Sequence, residues 1–559
     1  MPDKTSKPNT ISGRSAFLAL LRDEGVTQLF GNPGTTELPI MHALTEQEDL
    51  KFVLALQESV VIAIADGYGR ASGNLVSCNV HVAPGLGNAI GAIYTAGISN
   101  TAMIVTAGQQ EQGHGLTEPL LYAPLVPIAT PVVKWAVEVN RIEDLPRIVR
   151  RAATVATTPP TGPVFISLPG DILNDHAALE MGTSTRVDST VRPSVSAITD
   201  LAQRLLSAKC PVIIAGHEIA TSDAFDESAK LATLLGAPVY QQTIIDRAHF
   251  PSAHPAYLGP LSRHQPTVRK ILEKHDLAFF IGADVLKMSV YNELDAMPPE
   301  LRVIQLGLRD PEFGKNYAAE CALRADVKET LGALLPVLKV NQNDSQAKEA
   351  AARLTSVAAN NWTEARKTKA AQAEAKKGNS PIDPQWLAWK FADLMPADGV
   401  VVDEGITTAN SLPSFVHYHD RNSFFGNSSG GIGWGIAAAV GVQMALPERR
   451  VAALIGDGSA QYTIQALWTA AHTKTPVVFV IANNGGYRVL KDRLKLFHGN
   501  DNAIGMDFEN PAIDFAGLGR AYGLKTERVA TGDAFEAAFT AALAGNEPVL
   551  IEVMVAKTG

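Results

Sequence analysis

The sequence predicts an α/β protein of three doubly wound domains, each built on a parallel sheet. Three observations lead there. Short apolar runs that read as fully buried strands alternate with helical patterns across residues 13–185. The same alternation returns across 188–340 and again across 381–559. Between the last two, residues 341–380 are rich in Ala, Lys and Glu with little apolar periodicity, which predicts an exposed helical linker. A chain of 559 residues has the length for roughly three or four domains.

In the first region the candidate strands are Gln28–Phe30, Phe52–Leu56, Leu75–Val80, Ala102–Ala107 and Val164–Leu168. Several exit into Gly, Pro or His, as strand-to-loop junctions do. In the second region they are Pro211–Ala215, Leu277–Ile281 and Val303–Leu306. In the third, the run Arg450–Ile455 stops at Gly456-Asp-Gly-Ser459, and the run Val477–Ala482 stops at Asn483-Asn-Gly485. A crossover helix is expected around Ile464–Ala471. Neighbouring parallel strands then place Asp457 and Asn484 side by side at the carboxyl edge of the sheet, where open α/β sheets bind ligands. One carboxylate, one amide oxygen and nearby glycine backbone suit Mg²⁺ carrying a phosphate group. The plainer alternative is a strand-end turn with an Asx cap.

Two further residues carry chemistry in the first region. Glu58 lies just past an apolar strand, so it needs a partner or a raised pKa. Its plain alternative is a helix-start carboxylate facing backbone N–H groups. His81 ends a strand before Val82-Ala-Pro-Gly-Leu-Gly-Asn88, read as a glycine-rich turn, and is placed for proton transfer. A satisfied structural histidine is its alternative.

Composition fits a large enzyme, with 46% hydrophobic and 19% charged residues. A net charge of −9 gives no basic footprint for nucleic acid. No apolar run is long enough for a membrane span. The polar N-terminus lacks a signal-peptide core, and Cys78, Cys210 and Cys321 show no metal or redox spacing. A cytoplasmic location is expected.

The GDG and NN halves of 456–486 resemble the diphosphate motif of thiamine diphosphate enzymes. The resemblance extends along nearly the whole chain. FGNPGTTELP, LALQE, IADGYGRAS, TAGQQ, VVKW, GVQ, GDGS with ALWTAA, and PAIDF stand in the order of benzoylformate decarboxylase and its relatives. Acetolactate synthase large subunit and pyruvate decarboxylase are resembled less closely. The resemblance implies a pyrimidine-binding first domain, a middle domain and a diphosphate-binding third domain, the first and third sharing a topology. It implies that Asp457, the Asn484 side chain and the Gly486 backbone oxygen hold Mg²⁺. Glu58 would bond the cofactor's aminopyrimidine and so promote loss of the thiazolium C2 proton. Thr35 would contact the substrate carboxylate and His81 would transfer protons. Pro33, Gly34, Thr407, Thr408, Gly458, Ser459 and Tyr487 would contact the cofactor. Gly430 would accept from its 4′-amino group, and Ile432 would prop its bent shape.

The sequence also departs from that family. Where benzoylformate decarboxylase has a second active-site histidine, an ungapped alignment places Ser289, and neither His264 nor His275 matches. Arg488, Lys491 and Lys495 form one helical stripe, and Leu490, Leu494 and Phe497 another. The stripe reads either as a cationic entrance for an acidic substrate or as the solvated face of an amphipathic helix. The expected activity is non-oxidative decarboxylation of a 2-oxo acid to an aldehyde by a homodimer with shared sites, assembled as a homotetramer. The alternatives are a carboligase such as acetolactate synthase, with FAD not favoured, and a lyase acting on an acyl-CoA. Intact Glu58, Asp457 and Asn484 argue against a non-catalytic homologue.

Overall fold

The computed structural model describes residues 10–557 apart from 48 and 290. It contains three six-stranded sheets in which every strand pairing is parallel. The first holds β1 (Gln28–Gly31), β2 (Lys51–Leu54), β3 (Val76–Val80), β4 (Met103–Gln109), β5 (Ala136–Glu138) and β6 (Pro163–Pro169), in the order β2-β1-β3-β4-β6-β5. The second holds β7 (Pro211–Ala215), β8 (Val239–Gln241), β9 (Tyr257–Pro260), β10 (Leu277–Ile281), β11 (Arg302–Gly307) and β12 (Cys321–Arg324), in the order β9-β8-β7-β10-β11-β12. The third holds β13 (Val400–Glu404), β14 (Phe424–Gly426), β15 (Val451–Gly456), β16 (Val478–Asn483), β17 (Lys525–Val529) and β18 (Val549–Met554), in the order β14-β13-β15-β16-β18-β17. First and third sheets therefore share one topology. The second has the strand order of dinucleotide-binding sheets, which reverses between β7 and β10.

Every residue of β3, β4, β7, β10, β15 and β16 is buried. Helices on both faces remove any solvent side, so the sequence shows continuous apolar runs instead of alternation. Most strands that apolar runs did not reveal lie toward sheet edges. β5, β12 and β17 keep half or more of their residues accessible.

Seven helices bear on the placement of the functional residues. They are α1 (Glu58–Ser72), α2 (Val82–Ile98), α3 (Asp344–Ala358), α4 (Trp362–Glu374), α5 (Gly435–Ala445), α6 (Ala466–His472) and α7 (Arg488–His498). The expected glycine-rich turn after His81 is in fact the start of α2, with His81 as its N-cap residue. Its Pro84 falls within the first turn, where a missing N–H costs little. In α3 and α4 only Ala350, Trp362 and Ala373 are buried. Trp362 Nε1 donates to Pro413 O at 3.0 Å, which ties α4 to the third sheet's loops.

α1 crosses α5 with almost no side chain between them. A Cβ on Gly441 would sit 1.9 Å from the Ile64 carbonyl oxygen, and one on Gly67 would sit 2.2 Å from that of Ala438. From Gly435 through Gln443, α5 is buried on every side, which matches its sequence GIAAAVGVQ. Replacing a helical glycine by alanine ordinarily gains about 1 kcal/mol. Here overpacking against backbone costs about 1–3 kcal/mol or more. Gly441→Ala is therefore expected to lower the urea-unfolding free energy. A variant as stable as the parent would show that the helices can separate without loss.

Candidate functional site

β15 and β16 are parallel neighbours, with Gly456 opposite Ala482. Their exits bring Asp457 and Asn484 together. Asp457 is 2% exposed. Its Oδ1 accepts the Gly458 N–H at 2.8 Å. Its Oδ2 accepts the N–H groups of Asn484, Gly485 and Gly486 at 3.0, 2.7 and 3.2 Å. Burial raises the carboxyl pKa and these backbone donors oppose the shift. No cationic side chain among the described residues neutralises it. The Asn484 side chain makes no hydrogen bond among those residues, and the Ser459 hydroxyl is buried without a partner. These residues open onto a concavity lined by Gly405–Thr407, Ile432, Gly456–Ser459, Asn484 and Gly486–Val489. A cation with oxygen ligands, bridging to an anionic group beside Ser459, fits this donor set.

The loop carrying Gly430 and Ile432 is held by Glu404, a buried residue at the end of β13. Its Oε1 accepts from Asn427 Nδ2 at 2.7 Å and from Trp434 N at 3.1 Å. Its Oε2 accepts from Gly433 N and Gly435 N at 3.1 and 2.9 Å. Glu404 thus caps the free N–H groups at the start of α5 from another element. Ser429 Oγ lies 2.9 Å from Thr95 Oγ1 on α2, and Trp434 Nε1 donates to Asp66 on α1 at 2.6 Å. Ile406, beside Thr407, holds a left-handed φ of 49°, a strained state for a β-branched residue. Thr408 is buried next to it but does not line the concavity.

In the first domain, Glu58 opens α1 and is 8% exposed. Asn88 Nδ2 donates to its Oε2 at 3.1 Å. His81 Nδ1 stands 2.7 Å from Glu37 Oε2 and 3.2 Å from Thr36 Oγ1. Glu37 is wholly buried and also accepts the Gly34 and Gly108 N–H groups at 2.9 and 2.8 Å. A carboxylate against Nδ1 selects the Nδ1–H tautomer and leaves Nε2 as the free acceptor. Gly34 permits this, because a Cβ there would lie 2.2 Å from His81 Nδ1. Val82, directly after His81, has φ 41°, the same strained region as Ile406. Pro33 and Gly34 are half-buried and Thr35 is exposed.

The structure thus gathers Thr407, Ile432, Asp457, Gly458, Ser459, Asn484, Gly486 and Tyr487 around one concavity. Pro33, Gly34, Thr35, Glu58 and His81 lie along the carboxyl edge of the first sheet and do not line it. Gly430 is exposed at the rim loop, with φ 81°. Glu37 and Glu404 were not singled out from sequence. Glu404 ends the apolar run Val400–Val402, the same strand-exit signal that revealed Asp457. The basic stripe is mostly neutralised, with Arg488 paired to Asp492, Lys491 to Asp507 and Lys495 to Asp501.

At the reversal point of the middle sheet, Glu218 follows β7. Its Oε2 accepts the Leu308 N–H at 2.7 Å, and Arg309 Nε is 3.2 Å from its Oε1. Gly282 and Gly307 have no room for a Cβ because Glu218 lies against both. Arg309 also pairs with Asp284.

Three family models match the chain. They are described as the thiamine pyrophosphate enzyme N-terminal TPP binding domain (residues 11–119), central domain (198–334) and C-terminal TPP binding domain (406–553). Benzoylformate decarboxylase of Pseudomonas aeruginosa is 33% identical over 96% of this chain and 98% of its own. Acetolactate synthase large subunit of Haemophilus influenzae is 27% identical over 98% and 94%. The thiamine diphosphate-dependent 4-hydroxybenzoylformate decarboxylase of Rhodococcus jostii superposes with TM-score 0.86 at 32% identity, covering 98% of this chain and 99% of that one. Benzoylformate decarboxylase of Polynucleobacter necessarius gives 0.87 at 30% identity over 98% and 99%.

Burial holds the Glu404 pKa up at about 7, despite its donors. The folded state therefore binds a proton that the unfolded state releases between the ordinary glutamate value and pH 7. Stability from this group falls as pH rises through that window. Glu404→Gln removes the titration. The stability advantage of the parent over this variant is expected to shrink from pH 5 to pH 8 in urea unfolding. A constant difference would refute the shift.

Proposed function

Because the chain belongs to the thiamine pyrophosphate enzyme family, we propose that it is a thiamine diphosphate- and Mg²⁺-dependent lyase that decarboxylates a 2-oxo acid to an aldehyde. The observation that carries this reading is the buried Asp457, uncompensated among the described residues, beside a Ser459 hydroxyl that has no partner among them. Asp457, the Asn484 side chain and the Gly486 backbone oxygen hold Mg²⁺. Thr407, Gly458, Ser459 and Tyr487 hold the diphosphate, while Pro33, Gly34, Gly430 and Ile432 hold the rings; Thr408, buried off the concavity, is left out of this set. Bound thiamine diphosphate supplies a carbon nucleophile and an electron sink for the bond that breaks. Glu58 holds a proton at the aminopyrimidine. His81 exchanges protons at Nε2, with Glu37 fixing its tautomer, and Thr35 orients the substrate carboxylate.

Glu58 and His81 lie outside the concavity of their own chain, which supports a homodimer whose sites are shared, assembled as a homotetramer. The exposed side chains of Leu116, Leu120, Leu496 and Phe497 supply apolar surface for such contacts. Among the described residues no helix is long and apolar enough to cross a membrane. The proposed location is the cytoplasm, with no nucleic-acid or membrane partner.

Similarity to acetolactate synthase favours a carboligase as the second reading. Glu218 argues against its flavin form. Its side chain, paired with Arg309, packs against Gly282 and Gly307 at the strand-order reversal and leaves a dinucleotide diphosphate no close approach to that backbone.

Purified protein given thiamine diphosphate and Mg²⁺ is expected to release CO₂ from at least one 2-oxo acid, across a panel from pyruvate to benzoylformate and diacids. Glu58→Gln should cut kcat at least 100-fold, in line with about 10²–10⁴ for positioned proton transfer. Asp457→Asn should abolish Mg²⁺-dependent cofactor binding in calorimetry. Absence of cofactor binding by the parent would sink the proposal. Visible spectra should show no flavin band, and a stoichiometric one would reverse the Glu218 argument.

A further inference from the structure

Where the three domains meet, a cavity is lined by three arginines, one from each domain, and by no carboxylate among the described residues. Arg70 stands near the end of α1, Arg247 in the segment between β8 and β9, and Arg421 just before β14. Backbone contacts fix their meeting. Arg247 forms an antiparallel bridge with Phe425 of β14, and the Gly426 N–H donates to the Asp246 carbonyl at 2.8 Å. Arg247 Nη1 donates to the Arg70 carbonyl at 3.0 Å. The guanidinium carbons of Arg70 and Arg247 lie 5.7 and 5.6 Å from the centre of one ring, Phe425.

Arg70 and Arg247 are 3% and 7% exposed. Arg70 donates from Nη1 to the Gly426 carbonyl at 3.0 Å and from Nη2 to that of Asp246, yet its Nε is buried with no partner among the described residues. Its acid is Asp66, 3.9 Å away, which also accepts from Thr101 and Trp434. Arg247 has no carboxylate partner among the described residues, and the bond to Arg70 uses one of its five donors. The neighbouring Asp246 carboxylate lies against His249 Nε2 at 2.8 Å. Arg421 is exposed and has no ion pair among the described residues. Burial, and then the Arg70 charge, push the Arg247 pKa down to about 9. A cation taken out of water is costly until an opposite charge meets it. Guanidinium forks offer paired donors to an oxyanion in that place.

We propose that this junction binds a phosphate-class oxyanion, with Arg247 and Arg421 donating to it directly and Arg70 adding its charge behind them. The cavity shares no lining residue with the cofactor concavity, so the inference stands apart from the decarboxylase reading. Arg421 and Asn74 are exposed and mark the mouth, so the ion enters without separation of the domains. Once bound, it ties three domains together and stabilises the folded chain by mass action. Free phosphate and the phosphoryl group of a small ester share the required chemistry.

The test titrates the full chain with inorganic phosphate, with glycerol 3-phosphate and with chloride at matched ionic strength, in calorimetry and in thermal unfolding. At least one phosphate species should bind tenfold or more tightly than chloride and raise the unfolding midpoint by about 2 °C or more at saturation. The tighter of the two tells the free ion from a phosphoryl-bearing ligand. Arg421→Gln alters an exposed residue, so it should keep the parent's midpoint in chloride while weakening phosphate binding at least tenfold. Arg247→Gln should weaken it as much, and if that variant does not fold, Arg421→Gln decides alone. Arg141→Gln, an exposed arginine outside the cavity, should leave binding unchanged. Each titration is repeated with saturating thiamine diphosphate and Mg²⁺, and binding at the junction should persist. Phosphate binding no tighter than chloride, or unchanged in Arg421→Gln, would overturn the proposal. Binding that thiamine diphosphate and Mg²⁺ abolish would place the ion in the cofactor concavity and overturn it equally.

Discussion

The backbone-to-backbone crossing of α1 and α5 is the contact on which the rest of the site depends. α1 begins at Glu58, and α5 begins just after Ile432. Wherever these helices meet, the entrance to one candidate half-site and the rim of the other are set relative to each other. Glycine at positions 67 and 441 allows a separation that no side chain would permit. Asp66 reaching Trp434 and Thr95 reaching Ser429 then fix rotation about the contact. Because the contact is buried and apolar, its geometry is insensitive to what binds nearby.

A second regularity is electrostatic. Glu37, Glu404, Glu218 and Asp457 are all buried carboxylates held by backbone N–H groups. Such donors are neutral and rigid, so they fix position without cancelling charge. Glu37 faces His81 and Glu218 faces Arg309, so each meets a group able to carry positive charge. Glu404 meets none, and burial raises its pKa toward the neutral form. Asp457 meets none either, yet it opens onto a concavity with an idle amide and hydroxyl beside it. That difference is what supports the cation-holding role proposed for Asp457.

The parallel sheets are legible in the sequence because fully buried strands write themselves as uninterrupted apolar runs. Edge strands such as Lys525–Val529 are not, since most of their residues face solvent. Asp457 and Asn484 are visible because adjacent strand exits are a local pattern. Glu37 is not, because its donors come from Gly34 and from Gly108 on a distant strand. The start of α2 reads as a turn because three small residues and a proline mask a helix whose stability comes from packing. The basic stripe of α7 is visible as a periodicity, but its acids at 501 and 507 come from a later loop that no helical pattern reveals.

The distribution of constraint explains why the chemistry of this chain is easier to read than its choice of substrate. The groups proposed to hold the cofactor sit at strand exits and helix starts, where backbone N–H groups must be satisfied and few residue types serve. Their identity is therefore written into motifs. α7, by contrast, has no buried residue within the chain. Nothing in the fold dictates its side chains, so they are free to answer to a ligand or to another copy of the chain. Lys491 and Lys495 answer to neighbouring aspartates. A surface helix with no buried residue, whose first turn lines the concavity, takes its constraint from what approaches it.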